Sequence, residues 1–489
     1  MYFRRQLLHA RAISRALASA GLSVPHARAM GSMADLGERT TNRAEGSIAD
    51  AFASMSNQSQ ELPARFVDLK RELAQGNGAA ILDGWKRLLN NLAPERLARW
   101  ESQMIPEIHF SAIQANNGEL PESSLQALKE HGTIIVRGLV SADEALGWMQ
   151  NIRDYVKLNP STKGFPAHDP QVYELYWSKP QLEARAHSNM LIVQAALNKV
   201  WSAAPEDAVD TSVPIAYCDR LRIRTPGDKS FNLGPHLDGG SLERWEDPEY
   251  RKCYSEILKG EWENHNPFVM THRLKATVDM YHGPGGCSAF RSYQGWLSLS
   301  DCSPGAGTLR VMPDLLASTA YTMLRPFVRQ NSAGKWILDQ ESSFFQGAAM
   351  GAGQELLAGD HPHIHSAGFV SIPRVQPGDA VFWHCDVAHM VENEHRGNGD
   401  SSVLYIPAAP LCEVNSNYLK NQRAQFLEGC PPPDFPGGVG ESAHNNRGTI
   451  DHLSDEGKRA MGCAKFEVDP KGSLGQQAAA RTANSILGF

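Results

Sequence analysis

No cysteine of this chain sits in a C-x-x-C pair; the eight are scattered from Cys218 to Cys463. That argues against a disulfide scaffold and a thiolate zinc site, and for a reducing compartment. No uncharged apolar run reaches the roughly 20 residues that cross a bilayer, so no membrane span is expected. Basic patches with interleaved aromatics are missing, and the formal charge is −7, so nucleic acid is not an expected partner. No internal repeat is detectable. No acid precedes Asp35, whereas Arg4, Arg5, Arg11, Arg15 and Arg28 do. An Arg-rich, acid-free, Ala/Ser-rich start reads as a mitochondrial transit peptide over residues 1–34. The alternative is a disordered or mis-assigned start, with Met30 or Met33 as initiator. Localisation is therefore expected to be mitochondrial or cytoplasmic.

What is present is ample material for a core. The 489 residues are 42% hydrophobic and 21% charged, the balance of a folded protein of several domains' length. Residues 35–62 are polar and read as a flexible linker. Residues 63–210 are mainly helical by spacing: apolar periodicity marks 66–73, 81–92, 123–131 and one long helix over 182–201. Ser141-Ala-Asp-Glu144 is a capping box opening another helix, and 133–138 is a short β-rich run. From about Val213 the period changes to that of strands, over 215–224, 274–281, 294–299, 307–312, 368–375, 379–384 and 402–406. Turn signals such as Pro226-Gly227 and Pro377-Gly378 separate them. Short strands so punctuated predict a jelly-roll core over 211–412 in a mixed α+β chain. Residues 413–489 return to helix and loop packing on that core.

His236-Leu-Asp238 carries the chemistry. Residues i and i+2 of a strand face one side, so one short segment offers an imidazole and a carboxylate together. A second imidazole from another strand completes a 2-His-1-carboxylate face that binds iron(II) and leaves the opposite face open. Gly234-Pro235 and Gly239-Gly240 let the backbone turn closely around a metal. The spacing alone is weak evidence: with 18 histidines about one H-x-D arises by chance, and His384-Cys-Asp386 is a second. His389, just past a buried strand, is favoured over His384 as the third ligand, with His384 a hydrogen-bonded neighbour. His361-Pro-His-Ile-His365 is a further rival, read as a solvated loop.

These segments resemble the phytanoyl-CoA dioxygenase superfamily of iron(II)/2-oxoglutarate oxygenases. Pro235-His-Leu-Asp238 resembles its H-x-D strand. Gln294-Gly-Trp-Leu-Ser-Leu-Ser300 resembles the strand bearing its pocket tryptophan, and Gly307-Thr-Leu-Arg-Val-Met-Pro313 its G-x-L-x-V-x-P strand. Gly378-Asp-Ala-Val-Phe-Trp-His-Cys-Asp-Val-Ala-His389 resembles its distal-histidine strand, which implies His389 as the third ligand. More specifically, over about residues 50–460 the chain resembles an uncharacterised family of bacteria and fungi known only as a domain of unknown function. The carriers include Glu174-Leu-Tyr-Trp-Ser-Lys-Pro-Gln181, Asp219-Arg-Leu-Arg-Ile-Arg-Thr-Pro-Gly227 and Trp383-His-Cys-Asp386.

The resemblance implies iron(II), with 2-oxoglutarate and dioxygen as co-substrates, and hydroxylation of a small organic molecule. His236, Asp238 and His389 would be the metal and catalytic residues. Trp296 would line the co-substrate pocket, with plain core packing as the alternative. One departure stands out. The superfamily places an arginine about eleven residues past the distal histidine to pair with 2-oxoglutarate, and here that stretch reads Asn398-Gly-Asp-Ser-Ser402. Arg222 or Arg224 is the first candidate replacement and Arg310 the second, with Arg291 also near; pairing with Asp219, Asp228 or Glu243 is the alternative. The missing arginine leaves open a jelly-roll metal enzyme that does not use 2-oxoglutarate, or a non-catalytic binding module. Neither the substrate nor the oligomeric state is legible.

Overall fold

Apolar residues at helical spacing in the N-terminal third form helices close to the expected positions: Arg65–Ala74, Gly78–Asn91, Glu122–His131 and Ala142–Leu158. The computed structural model describes residues 43–54, 60–101, 104–231, 233–364 and 368–489. The expected transit segment lies outside them. Within the expected linker, Ile48–Ser54 is a helix. Ile48 is buried, and Phe52 stacks on Phe165 at 4.4 Å, so apolar contact docks this segment.

Ser141 caps its helix, accepting from the Glu144 amide at 3.2 Å. The Glu144 carboxylate lies toward His187 (3.7 Å) rather than closing a box. The helix expected over 182–201 is two, Lys179–Ala186 and Ser188–Asn198. His187 breaks them: its backbone is extended, and its Nδ1 caps the second helix by accepting from the Asn189 amide. A side chain that satisfies an orphan amide outcompetes helical continuity there.

Mixed α/β architecture follows, built on two large sheets. The larger has eight strands in the order Glu107–His109, Thr133–Arg137, Ala380–His384, Tyr293–Ser298, Ser401–Tyr405, Leu221–Arg224, Val172–Tyr173, Gly164–Phe165. The smaller has five: Gln354–Glu355, His236–Leu237, His389–Val391, Leu309–Val311, Val370–Ser371. All pairings are antiparallel except that of the first two strands of the larger sheet. Four expected strands are shorter or absent. Residues 215–224 keep only Leu221–Arg224, residues 307–312 only Leu309–Val311, residues 368–375 only Val370–Ser371, and 274–281 forms no strand. That last stretch is irregular, and the preceding Arg273 is drawn inward to Asp386.

Register fixes which side chains face which way. Arg222 pairs with Val403, Val403 with Ser298, Tyr405 with Trp296, and Trp296 with Val381. Directly paired residues share a face, so Arg222, Tyr405, Trp296 and Trp383 lie on one side. Leu309, Val311 and Val370 of the smaller sheet join the same apolar cluster as Ile223, Trp296, Val381 and Trp383 of the larger. The two sheets therefore share a core. Helices Glu413–Glu428, Asp455–Ala460 and Leu474–Leu487 form the C-terminal part. Among the described residues no helix is long and apolar enough to cross a membrane.

Candidate metal centre

His236 and His389 occupy one rung of the smaller sheet, paired directly across neighbouring strands. Their rings approach to 4.2 Å between centroids. Asp238, two residues on, brings one carboxylate oxygen to 3.2 Å from His236 Nε2 and the other to 3.9 Å from His389 Nε2. Gly239 follows with φ of 84°, a left-handed conformation that turns the chain away behind the carboxylate.

Each imidazole is oriented by a backbone carbonyl. His236 Nδ1 donates to Gly234 O at 2.8 Å, and His389 Nδ1 to Val387 O at 3.0 Å. A carbonyl only accepts, so each Nδ1 carries a proton and each Nε2 is turned toward the other members of the cluster. Burial pushes His389 down to about 4, helped by the neighbouring His236, so the ring is neutral. Burial also opposes charge on His236, but the Asp238 carboxylate raises it above the ordinary value. Asp238 lies deep among protein atoms, yet 37% of its side-chain surface reaches open space. Burial opposes its ionisation; the hydrogen bond from His236 and the nearby His389 and Arg291 hold it well below the carboxylate range. Once His236 gives up the proton it shares with Asp238, two imidazole nitrogens and one ionised oxygen, all within 4.8 Å of one another, suit a divalent transition metal with open positions.

The rival set does not compete. His384, Cys385 and Asp386 also cluster, but His384 Nδ1 accepts from the Asp386 amide at 3.0 Å, and its ring stacks on Trp201 at 4.6 Å. His384 lies on the opposite face of its strand from Trp383, whose ring is 5.3 Å from His389. Asp386 is engaged by Arg273 and by Tyr254 Oη at 2.9 Å. The expected solvated loop at 361–365 is in fact packed: His361 is buried, and His363 bonds Tyr321 Oη at 3.0 Å among Trp85 and Trp336; His365 lies outside the described residues.

The candidate co-substrate residues separate. Trp296 is buried on the face that bears Trp383. Arg224 is enclosed by Asp228 (2.7 Å) and by the Glu392 carbonyl at 2.6 Å. Arg310 pairs across its sheet with Met390, not His389, so it faces away from the triad, against the Phe369 carbonyl. Arg222 is 3% exposed, donates to Ser401 Oγ at 3.2 Å, leaves Nε without a partner, and meets no carboxylate among the described residues. Sequence reasoning missed Arg244, buried, whose Nη2 donates to the Asp238 carbonyl at 2.9 Å and Nη1 to the Gly240 carbonyl. It also missed Tyr405, whose surroundings include Arg222 and Asp238. No spacing rule marks either: Arg244 reaches back along an irregular loop to main-chain carbonyls, and Tyr405 comes near the site through tertiary packing.

The chain belongs to the Gig2-like family, whose model matches residues 60–463. It is 33% identical over 370 residues to the uncharacterised protein YbiU of Escherichia coli K12, covering 73% of this chain and 85% of that one. The structure of GlcNAc Inducible Gene 2 (GIG2, DUF1479) from Candida albicans superposes with a TM-score of 0.81 at 34% identity, covering 88% of this chain and 96% of that one. The hypothetical protein JW0805 of Escherichia coli gives 0.70 at 31% identity, covering 83% and 100%. The expected membership of an uncharacterised family of bacteria and fungi is thus correct.

Proposed function

We propose that this protein is an iron(II)/2-oxoglutarate-dependent oxygenase that hydroxylates a small organic substrate. On this reading the two sheets are the halves of a double-stranded β-helix. The strand order supports it: from Leu221–Arg224 to Ser401–Tyr405 strands of the two sheets alternate along the chain, except that Leu309–Val311 and Val370–Ser371 follow one another in the smaller sheet, with Gln354–Glu355 added at its edge.

The observation that carries the 2-oxoglutarate assignment is Arg222. A buried guanidinium without an acid is costly, and among the described residues Arg222 meets the Ser401 hydroxyl and the Phe231 ring but no acid. It faces the side of the larger sheet that bears Trp296, Tyr405 and Trp383. Its neighbour across the ladder is Val403, on the strand that begins at Ser401, where the superfamily carries its missing arginine. One strand supplies the cation that the adjacent one lacks. Ser401 and Arg222 would receive the far carboxylate of the co-substrate in a charge-assisted fork.

His236, Asp238 and His389 would hold iron(II), which supplies the activation of dioxygen that couples 2-oxoglutarate decarboxylation to substrate oxidation. The chain's own part is to keep both Nε2 lone pairs turned inward, hold Asp238 ionised, and wall the site with Trp296 and Tyr405. The test is oxygen uptake by the iron-loaded protein with and without 2-oxoglutarate. Uptake and succinate formation should require 2-oxoglutarate and vanish in Asp238→Ala; succinate formation retained by that variant overturns the reading. Uptake indifferent to 2-oxoglutarate would instead favour a metal enzyme of another type, as the sequence gap at 398–402 allows.

A further inference from the structure

A second cation near the site has no hydrogen-bonded or ion-paired acid among the described residues. Arg291 lies two residues before strand Tyr293–Ser298. Along that strand Ser298 is level with Val403 and hence with Arg222, while Trp296 is level with Tyr405. Arg291 lies beyond the other end. The two arginines thus lie toward opposite ends of this strand. The Arg291 guanidinium interacts electrostatically with Asp238 and with His389, so its charge is felt at the metal ligands.

The guanidinium is held by stacking rather than by an acid. It lies over the Tyr217 ring at 5.0 Å. That ring is itself fixed: its hydroxyl donates to Asp434 at 3.0 Å, and its face stacks on Tyr418 at 5.0 Å. The nearby acids are engaged elsewhere. Asp434 also takes the Ser288 amide and hydroxyl, and Asp219 takes Arg220 at 3.0 Å. No hydrogen bond or ion pair joins Arg291 to another described residue, and it is only partly buried. A guanidinium stacked on an aromatic platform, with its N–H edges free, is built to take a planar or tetrahedral oxyanion.

We infer that Arg291 recognises an anionic substituent, a carboxylate or a phosphate, on the substrate oxidised at this centre. The inference rests on the oxygenase reading above. It deepens that reading by limiting the substrate to acidic small molecules. Arg222 and Arg291 then divide the work: one cation for the co-substrate, one for the substrate.

The test uses the full chain loaded with manganese(II), a paramagnetic stand-in for iron, and saturated with 2-oxoglutarate to fill the Arg222 end. Inorganic phosphate and acetate are titrated separately, and metal-dependent relaxation of their phosphorus or methyl-proton NMR signals is measured. Wild type should enhance the relaxation of at least one, and which one distinguishes phosphate from carboxylate. Arg291→Gln should weaken that binding by about tenfold or more, the loss of one charge-assisted contact. Arg291→Lys should retain most of it, which separates loss of charge from misfolding. No enhancement in wild type, or equal enhancement in Arg291→Gln, overturns the inference. Arg222→Gln, run in parallel, should lose 2-oxoglutarate binding and keep the anion effect. If 2-oxoglutarate fails to bind wild type, the oxygenase reading fails while the anion titrations still decide Arg291.

Discussion

Arg244 donates a hydrogen bond to the main-chain carbonyl of Asp238 across 2.9 Å. Its other terminal nitrogen bonds the Gly240 carbonyl, so one buried guanidinium pins both sides of the turn that carries Asp238, the candidate metal carboxylate. This contact ties the helix Glu243–Glu246 to the loop after Asp238. Arg244→Gln is expected to leave the protein folded but to weaken metal binding by about 10–100-fold, the usual effect of removing a ligand's support. Titration with manganese(II) or cobalt(II) measures it; unchanged affinity would show that the loop holds its shape unaided.

His389 and His384 are five residues apart and differ in environment: His389 pairs with His236 in the smaller sheet, whereas His384 ends a strand of the larger sheet and stacks on Trp201. His389→Ala is expected to abolish tight metal binding. His384→Ala should leave metal affinity within about twofold and lower stability by about 1–3 kcal/mol, through loss of the Trp201 stack and the bonds to Pro267 and the Asp386 amide. Metal titration and thermal unfolding of the two variants give the comparison. If His384→Ala removes the metal, the assignment of the third ligand is wrong.

The same pair marks what the sequence could and could not disclose. The H-x-D spacing was readable because strand alternation places His236 and Asp238 together without help from elsewhere. His389 was readable as the residue just past a buried strand. The fates of the arginines were not: Arg222 and Arg224 share a strand face, and only the folded loop at Asp228 decides that Arg224 is neutralised and Arg222 is not. Arg310 reads as a candidate until the register puts it beside Met390. The break at His187 was hidden for a similar reason, since a local cap overrode a continuous apolar period.

Metal binding should depend on pH through His236 alone. Asp238 is already ionised, and His389, at about 4, is already neutral, whereas His236 is raised above its ordinary value. A ligand imidazole must lose its proton before the metal enters. Below the His236 pKa, affinity should therefore fall as pH falls, with about one proton released per metal bound. Above that pKa the affinity should level off. Calorimetric titration in buffers of different ionisation heat measures the proton count; release of two protons would show that His389 is charged in the free protein.

Arg222 and Arg224 offer a final contrast, because their environments predict opposite phenotypes from the same substitution. Arg224→Gln strands the buried Asp228 carboxylate, so it should destabilise the fold by about 3–5 kcal/mol. Arg222→Gln removes a buried charge that has no acid to leave behind, so stability should hold or rise. Its cost should appear in 2-oxoglutarate affinity, about tenfold to a hundredfold weaker for a lost charge-assisted contact. Thermal unfolding of both variants, with calorimetry of 2-oxoglutarate binding to the metal-loaded protein, separates the two effects. A fall in stability for Arg222→Gln without any change in 2-oxoglutarate binding would make Arg222 a structural residue, and the co-substrate anchor would have to be sought elsewhere, first at Arg291.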